Sequence, residues 1–244
     1  MTELWVAELD SNRTEPLMPG LSIGVPEGAG AFWSPGYDIS PDGRQIVFFS
    51  PDKDGKLRLW LTPLDRRSPP RQIPGVEGEQ PLFGPTGEIF FRRVEGSSGF
   101  LYSVREDGTG LRRAAVWPVI DLFGAYPDRK WLLLGVPAEK GETLLPIGGG
   151  APIPTHVHPP IGLRWTGDGR HLFVHGMNEN RRTTYVLPLS PGQFLPSNVS
   201  LAETALSEAD MAKLPGVRVI PAGDVVPGAT ADIYAFTRAT VQRN

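Results

Sequence analysis

The chain contains no cysteine. That excludes disulfides, thiolate metal sites and a cysteine nucleophile, and it leaves the redox compartment open. Neither sign of charge is in excess: 24 Lys and Arg stand against 27 Asp and Glu, a net charge of -3. With no cluster of basic residues, no nucleic-acid partner is expected, because phosphate binding draws on such clusters. No apolar run reaches the roughly 18 residues of a transmembrane helix, so no membrane span is expected in this chain. The opening Met1-Thr-Glu-Leu-Trp5 has neither a basic n-region nor an apolar h-region. No signal peptide is expected from it, and the localisation stays unassigned.

What the chain has in quantity is glycine and proline, 29 and 26 of 244 residues. That is more than a fifth of the chain, against about 12% in average proteins, and it approaches the level of low-complexity sequence. The remaining composition argues for a packed core, since 40% of residues are hydrophobic and there are eleven Phe, six Trp and five Tyr. A chain so rich in helix breakers is not mainly helical. It is expected to be all-β, with many turns and short strands.

Four segments align without gaps: Ser40-Pro-Asp-Gly-Arg-Gln-Ile-Val-Phe-Phe49, Gly84-Pro-Thr-Gly-Glu-Ile-Phe-Phe-Arg-Arg93, Tyr126-Pro-Asp-Arg-Lys-Trp-Leu-Leu-Leu-Gly135 and Thr166-Gly-Asp-Gly-Arg-His-Leu-Phe-Val-His175. They recur with a period of about 42 residues, in the range of propeller repeats. In each, a turn leads straight into an apolar strand. In the first copy Pro41 presets φ, Asp42 can bond its own backbone and Gly43 accepts a positive φ. A dozen or so residues downstream lies a third-strand series: Leu59-Trp-Leu61, Leu101-Tyr-Ser103, Thr143-Leu-Leu145 and Thr184-Tyr-Val186. Fourth strands are read at 71–73 and 111–113, and inner strands at 37–40, 81–83, 119–124 and 161–165. Each period thus holds the four strands of a β-propeller blade.

Leu4-Trp-Val6 fits the third-strand series and Glu15-Pro-Leu17 a fourth strand, while 217–221 reads as an inner strand and 233–238 as a second. The two ends are therefore expected to pair in one composite blade, 1–19 with 217–244, removing an open edge. The expected architecture is a single β-propeller domain over 1–244. It has five four-stranded blades, the internal four at about 37–76, 77–117, 118–156 and 157–200. Two stretches break the period. Residues 20–36 form a Gly/Pro-rich loop. Residues 193–216 carry capping-box patterns at Ser200 and Ser207, which predict short helical turns within 201–214.

The motif Tyr37-Asp-Ile-Ser-Pro-Asp-Gly43 with its following strand resembles the TolB-like branch of WD-repeat-like β-propellers, and in particular bacterial propellers appended to serine/threonine kinases or winged-helix regulators. Residues 234–244 resemble the closing segment of such a domain. The resemblance covers most of the chain, 201–214 being the main exception. It implies a propeller serving as a sensor, scaffold or partner platform as a domain of a larger bacterial protein, and it carries no catalytic motif.

The candidate site residues divide into two chemistries. Asp38, Glu79 and Asp121 fall near inner strands of successive blades, where five-bladed glycosidases place an acid and a base or nucleophile. An Asp before a turn also commonly bonds backbone amides. His156-Val-His158 alternates, so on a strand both rings share one face, as metal ligands do. The alternative is a Pro-rich connection facing water. Arg164, on the fourth inner strand, and Trp33, in a connection, complete the set of candidate ligand or partner contacts. Trp5, Trp60, Trp131 and Trp165 are read as packing between blades, Trp117 as lying in a connection, and Arg92-Arg93 and Arg112-Arg113 as solvated blade edges. No catalytic residue, metal site or cofactor is assigned. The expected function is a monomeric, non-catalytic propeller that binds a protein, peptide or small molecule at the disc face or channel mouth. A carbohydrate-active or metal-dependent lyase-type propeller enzyme is the alternative.

Overall fold

Each repeat turn is held by hydrogen bonds to its own side chains. In the first, Gly43 N–H donates to the Ser40 carbonyl at 2.8 Å, Ser40 Oγ donates to Asp42 Oδ1 at 2.6 Å, and that oxygen accepts from Arg44 N at 3.1 Å. Gly43 has a φ of 69°, where a side chain is strained. In the third copy Arg129 occupies the equivalent place with a φ of 58°. Arg129→Gly is therefore expected to raise stability by about 0.5–1 kcal/mol. Thermal unfolding would show this as a Tm gain of about 2 °C; a loss would mean that the side chain's contacts outweigh the strain.

The computed structural model describes residues 4–8, 13–24, 36–137, 142–155, 162–178, 181–196, 214–222, 225–232 and 234–235. Among them every regular element is a strand. Four antiparallel sheets have four strands in simple meander order. The first comprises β3 (Tyr37–Ile39), β4 (Gln45–Pro51), β5 (Leu57–Pro63) and β6 (Arg71–Glu77). The second comprises β7 (Glu79–Phe83), β8 (Glu88–Glu95), β9 (Ser98–Arg105) and β10 (Arg112–Pro118). The third has β11 (Asp121–Ala125), β12 (Trp131–Gly135), β13 (Glu142–Pro146) and β14 (Ile153–Pro154). The fourth has β15 (Gly162–Trp165), β16 (His171–Asn178), β17 (Arg181–Pro188) and β18 (Arg218–Ile220). Two further hairpins pair β1 (Trp5–Glu8) with β2 (Arg13–Pro16), and β19 (Val226–Pro227) with β20 (Tyr234–Ala235).

The strand positions read from the repeat hold through the four internal sheets, with one correction near the end. Residues 217–221, expected as the inner strand of a composite blade, form β18 and close the fourth sheet: Ile220 stands opposite Thr184, Val219 opposite Tyr185 and Arg218 opposite Val186. Exposed Arg218 and Val219 beside buried Ile220 mark an edge strand. Three alternating residues look alike in either role, and the long break in the period hid that this sheet still lacked its fourth strand. The partner of Tyr234–Ala235 is accordingly β19. Trp117 lies on β10 rather than in a connection. The helical turns expected within 201–214 fall, apart from Leu214, outside the described residues.

The chain divides into two compact units, Met1–Gly124 with Leu134–Ala138, and Ala125–Leu133 with Glu139–Asn244. In the first, β4 is buried on both faces and its alternation sorts side chains between two cores. Val47 and Phe49 join Leu59, Ile73, Phe83 and Phe91 on the side of the second sheet. Ile46 and Phe48 join Leu17, Met18 and Ile23, with Trp60 packed alongside. Full burial of each such phenylalanine contributes about 2–3 kcal/mol. Contact is close enough that a Cβ on Gly24 would stand 2.2 Å from the Phe49 ring. In the second unit, Phe173 and Val186 pack with Ile220, Val225 and Ala231.

Candidate functional site

The carboxylates expected at inner strands are placed there, and each has a partner within the first unit. Asp38, on β3, accepts the backbone N–H of Phe83 on β7 through Oδ2 at 2.9 Å. Glu79, opening β7, is ion-paired with Arg92 of β8, the residue directly opposite it. Asp121, opening β11, accepts from Gln80 Nε2 at 2.9 Å, and Gln80 Oε1 in turn accepts Leu122 N–H at 3.1 Å. The three acids thus tie β3 to β7, β7 to β8, and β7 to β11.

The joint of this arrangement is a bulge. The register of β7 on β8 shifts between Glu79 and Leu82, and Gln80 has a φ of 52° while only 2% exposed. A long side chain in this conformation is strained. The bulge turns the Gln80 amide across to β11, where its donor and acceptor are both used. Arg92, whose side chain is 20% exposed, bonds Glu79 and also donates from Nε to the Val119 carbonyl at 3.2 Å. The absence of a side chain at Gly99 makes room for it, since a Cβ there would lie 2.3 Å from Arg92 Nε. Burial pushes the Asp121 carboxyl above its usual range, against the opposing pull of Gln80 and Arg92.

Asp121 and Glu79 are therefore brought together through Gln80 and Arg92, while Asp38 acts at the far end of β7. Arg92, expected as part of a solvated edge, is instead an interior ion-pair partner. Its neighbour Arg93 lies over the Tyr102 ring, 5.4 Å from the centroid. Gln80 carries no sequence signal at all, because a strand amide resembles any exposed polar residue. For Arg92 a signal existed: it stands in cross-strand register with Glu79, and opposite charges in such pairs attract.

Arg164 lies on β15 in the second unit, and its positive charge acts on Glu142. Glu142 is 2% exposed, and its Oε2 has no hydrogen-bond partner among the described residues. Burial pushes this carboxyl up to about 8, with Arg164 opposing. His175 Nδ1 on β16 and Thr184 Oγ1 on β17 are 3.0 Å apart, and Thr184 donates its own proton to the Ala222 carbonyl at 2.8 Å. Thr184 is then the acceptor, which places a proton on His175 Nδ1. Trp33, His156 and His158 lie outside the described residues. Among the described residues no group of three or more His, Asp or Glu is placed to hold a metal ion. No helix among them is long and apolar enough to cross a membrane.

Among solved structures the chain is similar to TolB from Acinetobacter baumannii, with a TM-score of 0.59 at 14% identity over 78% of this chain and 47% of that one. The fold is that of a TolB-like β-propeller. A putative TolB from Agrobacterium tumefaciens gives a TM-score of 0.58 at 12% identity, covering 77% of this chain and 70% of the other. A chain of a nidogen/laminin complex gives 0.51 at 15% identity, covering 75% and 66%. The chain thus spans less than half of the Acinetobacter protein. No family model matches the sequence, and no curated protein matches it. At such identities the likeness is one of fold, and function rests on the site itself.

Proposed function

We propose that this TolB-like propeller is a non-catalytic binding module, a sensor or scaffold that takes a protein, peptide or small molecule at the disc face or channel mouth. The observation that carries the reading is the engagement of all three inner-strand acids by the fold: Asp38 by Phe83 N–H, Glu79 by Arg92, and Asp121 by Gln80. An acid–base pair for glycoside cleavage needs two carboxyl groups turned to one bond, with one of them ionised and available. Here the acids are spent on joining strands. The nidogen/laminin complex among the similar structures supports protein binding as a use to which this fold is put.

Within this reading the chain is one monomeric propeller of five blades. The four-stranded sheets supply four of them. Trp33, Arg164, His156 and His158 remain the proposed contacts for the ligand or partner. The test has two arms. The immobilised chain should retain a defined partner that free chain competes away, and the same preparation should not turn over aryl glycosides or lactones above background. Turnover abolished by Asp38→Asn or Asp121→Asn, with unfolding unchanged, would overturn the proposal.

A further inference from the structure

Asp-Gly occurs four times in the chain: Asp42-Gly43, Asp54-Gly55, Asp107-Gly108 and Asp168-Gly169. All four lie in hairpin turns with one backbone shape. The glycines have φ values of 69°, 78°, 84° and 66°. Each donates its N–H, at 2.8 or 2.9 Å, to the carbonyl two residues before its aspartate. What differs between the turns is the carboxylate.

Three of the carboxylates are held by their own turns. Asp42 Oδ1 accepts from Ser40 Oγ at 2.6 Å and from Arg44 N–H at 3.1 Å. Asp107 Oδ1 accepts from Thr109 Oγ1 at 2.7 Å and from Thr109 N–H at 2.9 Å. Asp168 Oδ1 accepts from Thr166 Oγ1 at 2.6 Å and from Arg170 N–H at 3.0 Å. The hydroxyl donors, followed by the backbone amides, hold all three carboxyls below their usual range. The β4–β5 hairpin is built differently. Its organising acid is Asp52, which accepts from the N–H groups of Asp54 and Lys56 at 2.9 and 3.0 Å and pairs with Arg58 at 2.8 Å. Asp54 is left exposed at the tip, and its carboxylate has no hydrogen bond or ion pair among the described residues.

That difference bears on a reaction intrinsic to this dipeptide. The glycine nitrogen attacks Cγ of the protonated aspartyl carboxyl. The N–Cγ bond forms, the Cγ–OH bond breaks, and the hydroxyl leaves with the amide proton as water, closing a cyclic imide. Water then opens the imide at either carbonyl. Opening at Cγ restores aspartate, and opening at the main-chain carbonyl leaves isoaspartate, with the chain running through the side-chain carbon. Only water is lost and regained, so no other reactant enters. Glycine hinders the attack least, having no Cβ. The carboxyl, however, must be free to swing onto the nitrogen and to take up a proton. Asp42, Asp107 and Asp168 are restrained in both respects by their turns. We infer that Asp54 is a site of spontaneous modification at which the folded chain forms isoaspartate, and that their hydrogen-bonded turns protect the other three. The inference concerns the β4–β5 hairpin alone and does not depend on the proposed binding role.

The four turns serve as one another's controls. The full chain is held folded at neutral pH, and samples taken over weeks are digested and scored for isoaspartate at each site by electron-transfer fragmentation of the peptides. Isoaspartate is expected to form at Asp54 about tenfold faster than at any other Asp-Gly, the equivalent in rate of one hydrogen bond that need not be broken. In the urea-unfolded chain the four sites should react at comparable rates, because the turns that distinguish them are gone. Thr109→Val, which removes the hydroxyl donor to Asp107, should raise the rate at Asp107 several-fold and leave Asp54 unchanged. Equal rates in the folded chain, a faster reaction at one of the three restrained sites, or a lead for Asp54 that persists undiminished in urea would each overturn the inference.

Discussion

Glu142→Gln is expected to make the protein more stable at pH 7 by about 3 kcal/mol and to leave it unchanged near pH 4. The Glu142 carboxyl sits 2% exposed with one oxygen unpartnered among the described residues, and burial pushes it from 4.5 to about 8 despite the nearby Arg164 charge. The folded chain therefore keeps this proton up to about pH 8, whereas the unfolded chain releases it near 4.5. Between those values the folded state binds more protons, so stability falls as pH rises, by about 1.4 kcal/mol per unit. Below 4.5 both states are protonated and the contribution is fully present; above 8 it is gone. Glutamine cannot ionise, so its profile through this window should be flat with respect to this group. Denaturant unfolding of both proteins at pH 4, 6, 7 and 8 decides the matter. Parallel profiles would show that Glu142 does not titrate in this window.

The second large effect is expected at Arg92. Arg92→Met leaves the largely buried Glu79 carboxylate without its cation and the Val119 carbonyl without its donor. Removing one member of a buried pair is far more harmful than never having had it. With the side chains 20% and 13% exposed, solvent relieves part of that penalty, and a loss of about 2–4 kcal/mol is expected. Arg44 provides the contrast. Its side chain is 83% exposed beside Asp42, and Arg44→Met should change stability by less than about 0.5 kcal/mol. Urea midpoints at constant slope would measure both. Equal effects at the two arginines would mean that the interior pair is no stronger than a surface one.

The difference between these two arginines also marks the limit of what the sequence discloses. Turn chemistry is local. Pro41, Asp42 and Gly43 dictate their hairpin whatever surrounds them, and the apolar run from Ile46 to Phe49 follows at once, so the first three strands of the four internal sheets can be read directly. Register is less local. The sequence places 218–220 in a strand, but only its pairing with β17 shows that it closes one sheet rather than opening another. The polar interior is less legible still. Asp38 and Asp121 stand out as acids near inner strands, yet their partners, a backbone amide and a glutamine, both lie on β7, in a different sheet from either acid. Gln80 reaches Asp121 only because a bulge and a positive φ turn it there, a consequence of packing that no residue pattern encodes.

The claim that most of this depends on is that the inner-strand acids serve the fold. A double-mutant cycle on Glu79→Met and Arg92→Met tests it most directly. If the pair ties β7 to β8, each single variant leaves a desolvated partner behind, while the double variant places two apolar side chains opposite each other. The double variant should then be more stable than the sum of the single losses predicts, by about 1.5–3 kcal/mol. Additivity within about 0.5 kcal/mol would contradict it, showing that Glu79 and Arg92 act independently and that the acid is free for another role.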